Sequence, residues 1–139
     1  MKNNNKKSQT KFLDQKLTEK FLKIEKILSD EKGSFALFTL IQREDTDLWD
    51  LIVSADWIKI KNQKETLEDI SKVMKKYLDK NDLINISRII LLDPNELFVK
   101  NINRAFHIPH QTAFFENVVI GSYHIDKAII FSSIQPEKT

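Results

Sequence analysis

Five acidic residues lie close together in the stretch REDTDLWDLIVSADW, which covers residues 43–57. They are Glu44, Asp45, Asp47, Asp50 and Asp56. Carboxylate oxygens are the ligands that Mg²⁺ prefers, and a metal held in this way can stabilise the charge that develops when a phosphoryl group is transferred. The stretch therefore predicts either a metal site for phosphoryl chemistry, with Asp45, Asp47 and Asp50 as the catalytic candidates, or an acidic turn that leads into a strand.

The spacing before Asp45 resembles the signature of the nucleotidyltransferases. A Gly-Ser pair at 33–34 is followed, after ten intervening residues, by Asp45-Thr46-Asp47. In that family a Gly-Ser turn precedes an Asp-x-Asp pair that holds magnesium on the phosphates of a nucleotide. The resemblance implies a divergent metal-dependent enzyme that uses Asp45 and Asp47, with magnesium as its cofactor. The sequence departs from the pattern because Lys32 and Thr46 stand at positions that are apolar in the family, and because the intervening segment has the composition of a buried strand.

The alternation of apolar residues after the acidic pair favours the turn. If a strand begins at Leu48, Asp50 and Asp56 share the face opposite the apolar one. These two carboxylates would lie about 20 Å apart, because a strand rises about 3.3 Å per residue, and they could not hold one ion together. Asp45 and Asp47 fall in the link before the strand, in a position typical of a hairpin loop. The interpretation is therefore an acidic loop between two strands, with no metal site.

The three histidines lie late in the chain, and two of them form His107-Ile108-Pro109-His110. A His-x-x-His pair on a helix can share a zinc ion, and His124 or Asp126 could supply a further ligand. Pro109, however, breaks a helix through the pair and favours an extended residue before it. We therefore expect a loop with surface histidines, while His107, His110 and His124 are the candidates for any metal that the chain binds.

Phe114 and Phe115 are adjacent in a segment that has the composition of one or two strands, AFFENVVIGSYHIDKAIIFSSI. Because successive strand residues point to opposite faces, at most one of the two can face a given core. The other must be covered by a helix, a loop or another subunit, and adjacent aromatic residues beside a loop often anchor interfaces. Phe114 and Phe115 are therefore the predicted interface of a homo-oligomer. Either residues 121–122 or residues 126–127 could form the turn in this segment, and the sequence leaves that choice open.

The pattern of apolar residues predicts an α+β domain with the element order α-β-β-α-β-α-β-β. The first helix has apolar residues at helical spacing from Leu13 to Leu28, with Glu25 among the polar residues on its other faces. FALFTLIQ predicts a central strand, ISRIILL predicts a buried strand parallel to the one before it, and DPNE at 93–96 predicts a helix capped by its first residue. We expect a mixed, largely antiparallel sheet of four or five strands with three packed helices.

Composition limits the class of protein. The 139 residues, of which 41% are hydrophobic, fit a single domain, which we place at residues 11–139 behind a disordered basic tail at 1–10. The chain has no cysteine, which excludes disulfides and thiolate metal sites and is compatible with the cytoplasm. No apolar run approaches the length of a membrane span, and the charged start lacks the apolar stretch of a signal peptide.

The charge distribution argues against a nucleic-acid partner. The net charge of +2 arises in the first 32 residues, where nine lysines stand against five acids, so that the rest of the chain is slightly acidic. These observations together favour a small cytoplasmic binding or regulatory module that acts through protein–protein contacts, with itself or with a protein partner, over an enzyme. The magnesium-dependent transferase is the alternative.

Overall fold

The computed structural model describes residues 13–136, so the basic tail predicted at 1–10 lies outside the described residues. The helices are α1 (Gln15–Lys32), α2 (Gln63–Tyr77), α3 (Lys80–Leu83) and α4 (Leu97–Ala105), and a 3₁₀ turn covers Ile60–Asn62. The strands are β1 (Leu37–Gln42), β2 (Trp49–Ser54), β3 (Ile86–Leu92), β4 (Ala113–Ile120) and β5 (Tyr123–Ser133). The short α3 adds a fourth helix to the three predicted from the sequence.

The five strands form one sheet in the order β3-β2-β1-β5-β4. β2 and β3 are parallel, and every other neighbouring pair is antiparallel. The prediction of an α+β fold with a mixed, largely antiparallel sheet is therefore confirmed, and the predicted central strand is β1, in the middle of the sheet. Within the described residues, no helix has both the length and the apolar character needed to cross a lipid bilayer.

The ends of α1 are set by local features of the sequence. Asp14 caps the first turn, because its carboxylate accepts hydrogen bonds from the backbone N–H groups of Lys16 at 3.1 Å and Leu17 at 3.3 Å. At the other end Gly33 has a φ of 117°, a conformation that residues with side chains rarely adopt, and the helix stops there. The carbonyl oxygen of Gly33 accepts a 2.9 Å hydrogen bond from the indole N–H of Trp57, which ties the end of α1 to the segment after β2.

Both faces of the sheet are buried against helices. The core shared with α1 and α2 includes the fully buried Phe21, Leu28, Phe38, Leu51 and Phe131. The smaller core on the opposite face, shared with α4, includes the buried Leu37, Ile52, Val99, Ile102 and Ile130. The alternation predicted for β2 is confirmed, because Trp49, Leu51 and Val53 all belong to the first core.

The β4–β5 hairpin settles the turn that the sequence left open. The two strands pair as far as Ile120 opposite Tyr123, so that Gly121 and Ser122 form a two-residue turn. Gly121 has a φ of 62°, the left-handed conformation that tight hairpin turns require and glycine adopts readily. The alternative turn at 126–127 lies inside β5.

β3 is parallel to β2, as predicted, but the prediction that it is buried is wrong. It is the last strand on one side of the sheet, and none of its seven residues is buried. A run of Ile and Leu suits a central strand and an edge strand alike, so composition does not show which position in the sheet a strand takes.

α4 starts later than the sequence predicts. Asp93 accepts a 2.8 Å hydrogen bond from the backbone N–H of Asn95, and its carbonyl oxygen accepts another at 2.9 Å from Glu96. The helix begins only at Leu97, and no side chain caps it. The predicted cap at Asp93 is therefore wrong, because the side chain of an aspartate can close a turn as well as cap a helix.

Candidate functional site

The predicted acidic loop connects β1 to β2 and leaves Asp45 and Asp47 exposed. Asp45 lies 3.9 Å from a guanidinium nitrogen of Arg43. The backbone carbonyl of Asp47 accepts a 2.8 Å hydrogen bond from the side chain of Gln42. The hydroxyl of Thr46 accepts a hydrogen bond from the backbone N–H of Leu48. These contacts are those of a closed loop between two antiparallel strands.

Asp50 lies on β2, and its side chain is only 3% exposed. Its two carboxylate oxygens each lie 3.3 Å from a guanidinium nitrogen, Oδ2 from Arg43 and Oδ1 from Arg88. A buried carboxylate is costly unless its charge is compensated, and the two arginines supply that compensation. A magnesium ion at Asp50 would have to displace them, so a structural ion pair explains Asp50 better. The transferase alternative, which depends on Asp45 and Asp47, stays a prediction.

The three candidate histidines lie in different surroundings. His107 is exposed, Nδ1 of His110 lies 2.8 Å from the carboxylate of Glu25, and Nδ1 of His124 contacts the carboxylate of Glu44. Among residues 13–136, no three or more His, Asp or Glu side chains are grouped so that they could hold a metal ion. His110 instead joins the loop before β4 to α1, and His124 joins β5 to the acidic loop.

Glu25 is a buried acidic residue whose position the sequence interpretation predicted wrongly. It is fully buried, although we expected it on a polar face of α1. Its Oε2 atom accepts a 2.9 Å hydrogen bond from Ser29 and another from Ser132, and contacts His110, whereas Oε1 has no hydrogen-bond partner in the described chain. One signal could have located it: Glu25 lies four residues after the buried Phe21, on the same stripe of the helix.

Phe114 and Phe115 divide between the surface and the core, as strand alternation requires. Phe115 is partly buried, and the centroid of its ring lies 4.5 Å from that of Phe106. Phe114 is 53% exposed. A contact between subunits at Phe114 stays a prediction.

An apolar groove follows β3 on the side of α2 and has a volume of about 390 Å³. Its walls include Leu67, Ser71 and Lys75 of α2 and Ile86, Arg88 and Ile89 of β3. The α2 residues recur at intervals of four and therefore share one face of the helix. We call this surface the β3 groove.

A larger, open cleft of about 960 Å³ lies at the carboxyl ends of β2 and β3. The end of β3, the segment 56–63, the turn 93–96 and α4 all contribute to its lining. In sheets with parallel strands, ligands commonly bind outside the carboxyl ends of those strands. We call this surface the carboxyl-end cleft. No single stretch of sequence could have located it, because its walls come from separate segments.

The β3 groove and the carboxyl-end cleft differ in chemistry, since the groove is mainly apolar and the cleft is largely polar and charged. Neither is lined by the acidic pair, the histidines or the phenylalanines that the sequence singled out. Comparison of the chain with protein-family models, with curated proteins and with solved structures found no match.

Proposed function

We propose that this chain is a protein-binding module that accepts an extended segment of a partner protein as an additional strand along β3. One observation carries the proposal: β3 is an apolar strand at the edge of the sheet, and its five Ile and Leu residues are only partly buried. Addition of a strand to an open sheet edge is a recurrent mode of peptide recognition.

The backbone of β3 has unpaired groups along its outer edge. β3 pairs with β2 on one side, and no backbone hydrogen bond joins residues 86–92 to any other part of the described chain. Proteins usually protect such an edge with charged side chains, proline or a bulge. β3 has a single charged residue, Arg88, among five Ile and Leu residues, and its pairing with β2 skips Ser87 near the start of the strand. From Arg88 to Leu92 the pairing is regular, which leaves this part of the edge accessible to a further strand.

β4, at the other edge of the sheet, is better protected. It carries the charged Glu116, and the next residue, Asn117, has a φ of 52°, which departs from extended backbone in the middle of the strand. The regular pairing of β4 with β5 skips Asn117. Charges and local distortions of this kind discourage the addition of another strand. The skipped residue lies in the middle of β4 but near the start of β3, so β3 has the longer regular stretch, from Arg88 to Leu92, and this supports β3 as the docking edge.

The β3 groove would receive alternate side chains of the added strand. Every second side chain of a strand points to the same face, and the groove lies beside the β3 edge on the α2 face. Leu67 and Met74 of α2, with Ile86 and Ile89 of β3, offer apolar contacts there. Hydrogen bonds along the edge would supply affinity, and the groove would select apolar residues at alternate positions.

The charge around the groove favours a partner segment that is acidic as well as apolar. Lys75 lines the groove, and none of the residues that line it is acidic. Arg88 also belongs to the lining, but its guanidinium lies with Asp50 on the opposite face of the sheet, where its side chain is 55% exposed at the same edge. Pairing of β3 with β3 of a second copy would bring like charges together, which is unfavourable between paired strands. An acidic partner segment is therefore favoured over a second copy at this edge.

Self-association at a different surface and a cytoplasmic location also belong to this proposal. Phe114 is 53% exposed on the outermost strand β4, and aromatic residues are enriched at contacts between subunits.

The absence of cysteine supports a reducing compartment.

Peptide selection against the intact chain tests strand addition. A displayed library of short random peptides is enriched for binders, and the affinity of the enriched peptides is then measured by titration. We expect sequences in which apolar residues alternate and Asp or Glu residues occur beside them. In the complex, we expect the backbone amides of β3 to gain protection from hydrogen exchange, because they acquire hydrogen-bond partners.

Two neighbouring residues of α2 provide a matched pair of variants. Ser71 lines the β3 groove, so Ser71→Trp fills it, whereas Lys72 is exposed outside the groove, so Lys72→Trp adds the same ring elsewhere. We expect Ser71→Trp to weaken peptide binding by about tenfold or more and Lys72→Trp to leave it unchanged, with both variants folded by circular dichroism. The proposal is wrong if no sequence is enriched, or if the peptides bind Ser71→Trp as tightly as the unmodified chain.

A further inference from the structure

We infer that the carboxyl-end cleft binds a phosphate-bearing small molecule of about nucleotide size. The volume of the cleft, about 960 Å³, lies near the upper end of the range of ligand sites, roughly 300–1,000 Å³. The inference does not depend on strand addition, because the cleft and the β3 groove have no lining residue in common.

The parallel pairing of β2 and β3 creates the cleft. Ser54 pairs with Leu92, so the two strands end side by side. After β2 the chain continues through Asp56 into the segment before α2. After β3 it continues through Asp93 into the turn before α4. The gap between these two departing segments is the cleft, as at the carboxyl ends of parallel strands in other sheets.

Four basic side chains from two walls surround the cleft. Lys59 and Lys61 lie on the segment after β2, and Lys100 and Arg104 lie one turn apart on α4. All four are exposed, and none forms a salt bridge with another described residue. Lysine and arginine side chains on opposite walls can bind the several oxygens of a phosphate or diphosphate group by charge-assisted hydrogen bonds.

Hydrogen-bond acceptors line the cleft as well. The carboxylates of Asp56, Asp93 and Glu96 are among its lining groups, and none of them forms an ion pair with the four basic side chains. Acceptors of this kind suit the hydroxyl and amino groups of a ligand. A ligand that matches both the basic side chains and the carboxylates carries phosphate together with hydrogen-bond donors, as a sugar phosphate or a nucleotide does.

Asn103 is a preorganised acceptor in the cleft. Its amide nitrogen donates to the carbonyl oxygen of Ala36 at 2.9 Å and to the hydroxyl of Ser133 at 3.0 Å. These two bonds hold the side chain of Asn103 in one orientation, and no hydrogen bond within the described chain uses its carbonyl oxygen. A polar group held in place by other residues can bind a ligand without losing further side-chain entropy.

Calorimetric titration of the intact chain tests the inference with three probes: inorganic pyrophosphate, ribose 5-phosphate and adenosine 5′-diphosphate. The decisive variant is Lys100→Gln with Arg104→Gln, which removes two charges four residues apart on α4. Its matched control is Lys72→Gln with Lys76→Gln, which removes two charges at the same spacing on α2, outside the cleft. Ser71→Trp, which fills the groove, is expected to bind the probes as the unmodified chain does.

We expect at least one of the two organic phosphates to bind more tightly than pyrophosphate. We also expect the α4 double variant to lose about tenfold or more in affinity, because it removes two charge-assisted contacts, and the α2 control to change by less than about twofold. The inference is overturned if none of the probes binds at millimolar concentration, if pyrophosphate alone binds, or if both double variants lose affinity equally.

Discussion

At the scale of single residues, Glu25 illustrates how a buried carboxyl group is accommodated in this fold. Its carboxylate is fully buried between α1 and β5. One of its oxygens accepts hydrogen bonds from Ser29 and Ser132 and lies 2.8 Å from Nδ1 of His110. A buried acceptor that loses a donor keeps the full cost of its desolvation. The two serine donors and the contact with His110 are therefore expected to matter more for stability than exposed polar contacts do.

His110→Gly tests the contribution of the His110 contact. Because His110 has a φ of 48° and glycine adopts the left-handed region readily, the substitution removes the imidazole without backbone strain, whereas asparagine would place an amide N–H near the position of Nδ1. We expect the free energy of unfolding, measured in urea, to fall by roughly 1–3 kcal/mol. The control is His107→Gly at an exposed position, which should lower it by less than about 1 kcal/mol. Equal stability of the two variants would contradict the role assigned to His110.

At the scale of elements, one ion pair joins α1 to α3. Nζ of Lys20 lies 2.7 Å from Oδ2 of Asp82. The hydrogen bond to Asp82 raises the pKa of Lys20 above its ordinary value. Burial acts to raise the pKa of Asp82, but the hydrogen bonds from Lys20 and from the backbone N–H of Asp79 outweigh that effect, so the pKa of Asp82 is lowered.

Lys20→Met is expected to remove a contribution to stability that depends on pH. Asp82, with its lowered pKa, stabilises the fold above the ordinary carboxyl pKa of about 3.9, and this contribution is lost as the pH falls through the folded pKa. Lys20, with its raised pKa, stabilises the fold below about 10.4, and this contribution is lost as the pH rises through the folded pKa. The difference in unfolding free energy between the variant and the unmodified chain should therefore be constant from about pH 5 to 9 and shrink outside that range.

Urea unfolding across the pH range measures this difference. The control is Lys16→Met, at an exposed lysine in the first turn of α1 that forms no salt bridge in the described chain. That substitution should show no such pH profile. If the difference for Lys20→Met is the same at every pH, the ion pair does not link α1 and α3 energetically.

At the scale of the whole molecule, sedimentation equilibrium tests the predicted self-association. We expect a mass of about twice 16.3 kDa at tens of micromolar, and the mass of one chain for Phe114→Lys, because a charge at the contact would be desolvated without a partner. The control is Leu97→Lys, at a side chain of α4 that is 65% exposed, and it should remain dimeric. A single-chain mass for the unmodified protein would refute the prediction.

Local sequence patterns were sufficient to predict most of the helices and strands. Helical spacing predicted α1, a continuous apolar run predicted β1, alternation predicted which residues of β2 share a face, and the cluster of acidic residues before Trp49 predicted the loop that joins the two strands. Each of these features depends on residues a few positions apart, so the sequence shows it directly. The same reasoning missed the late start of α4, where the contacts of Asp93 could form either a cap or a turn.

By itself, then, the sequence determined the fold class, the order of the elements apart from the short α3, and which residues of β2 share a face. Only the tertiary structure decided that β3 is an edge strand, that Glu25 is buried, and that a cleft opens where β2 and β3 end. The physical reason is the same in each case. The donors to Glu25 from His110 and Ser132 lie 85 and 107 residues away in the chain, and the exposure of β3 depends on which strands occupy the rest of the sheet. Pairings over such separations depend on the packing of the whole domain, which local periodicity does not encode.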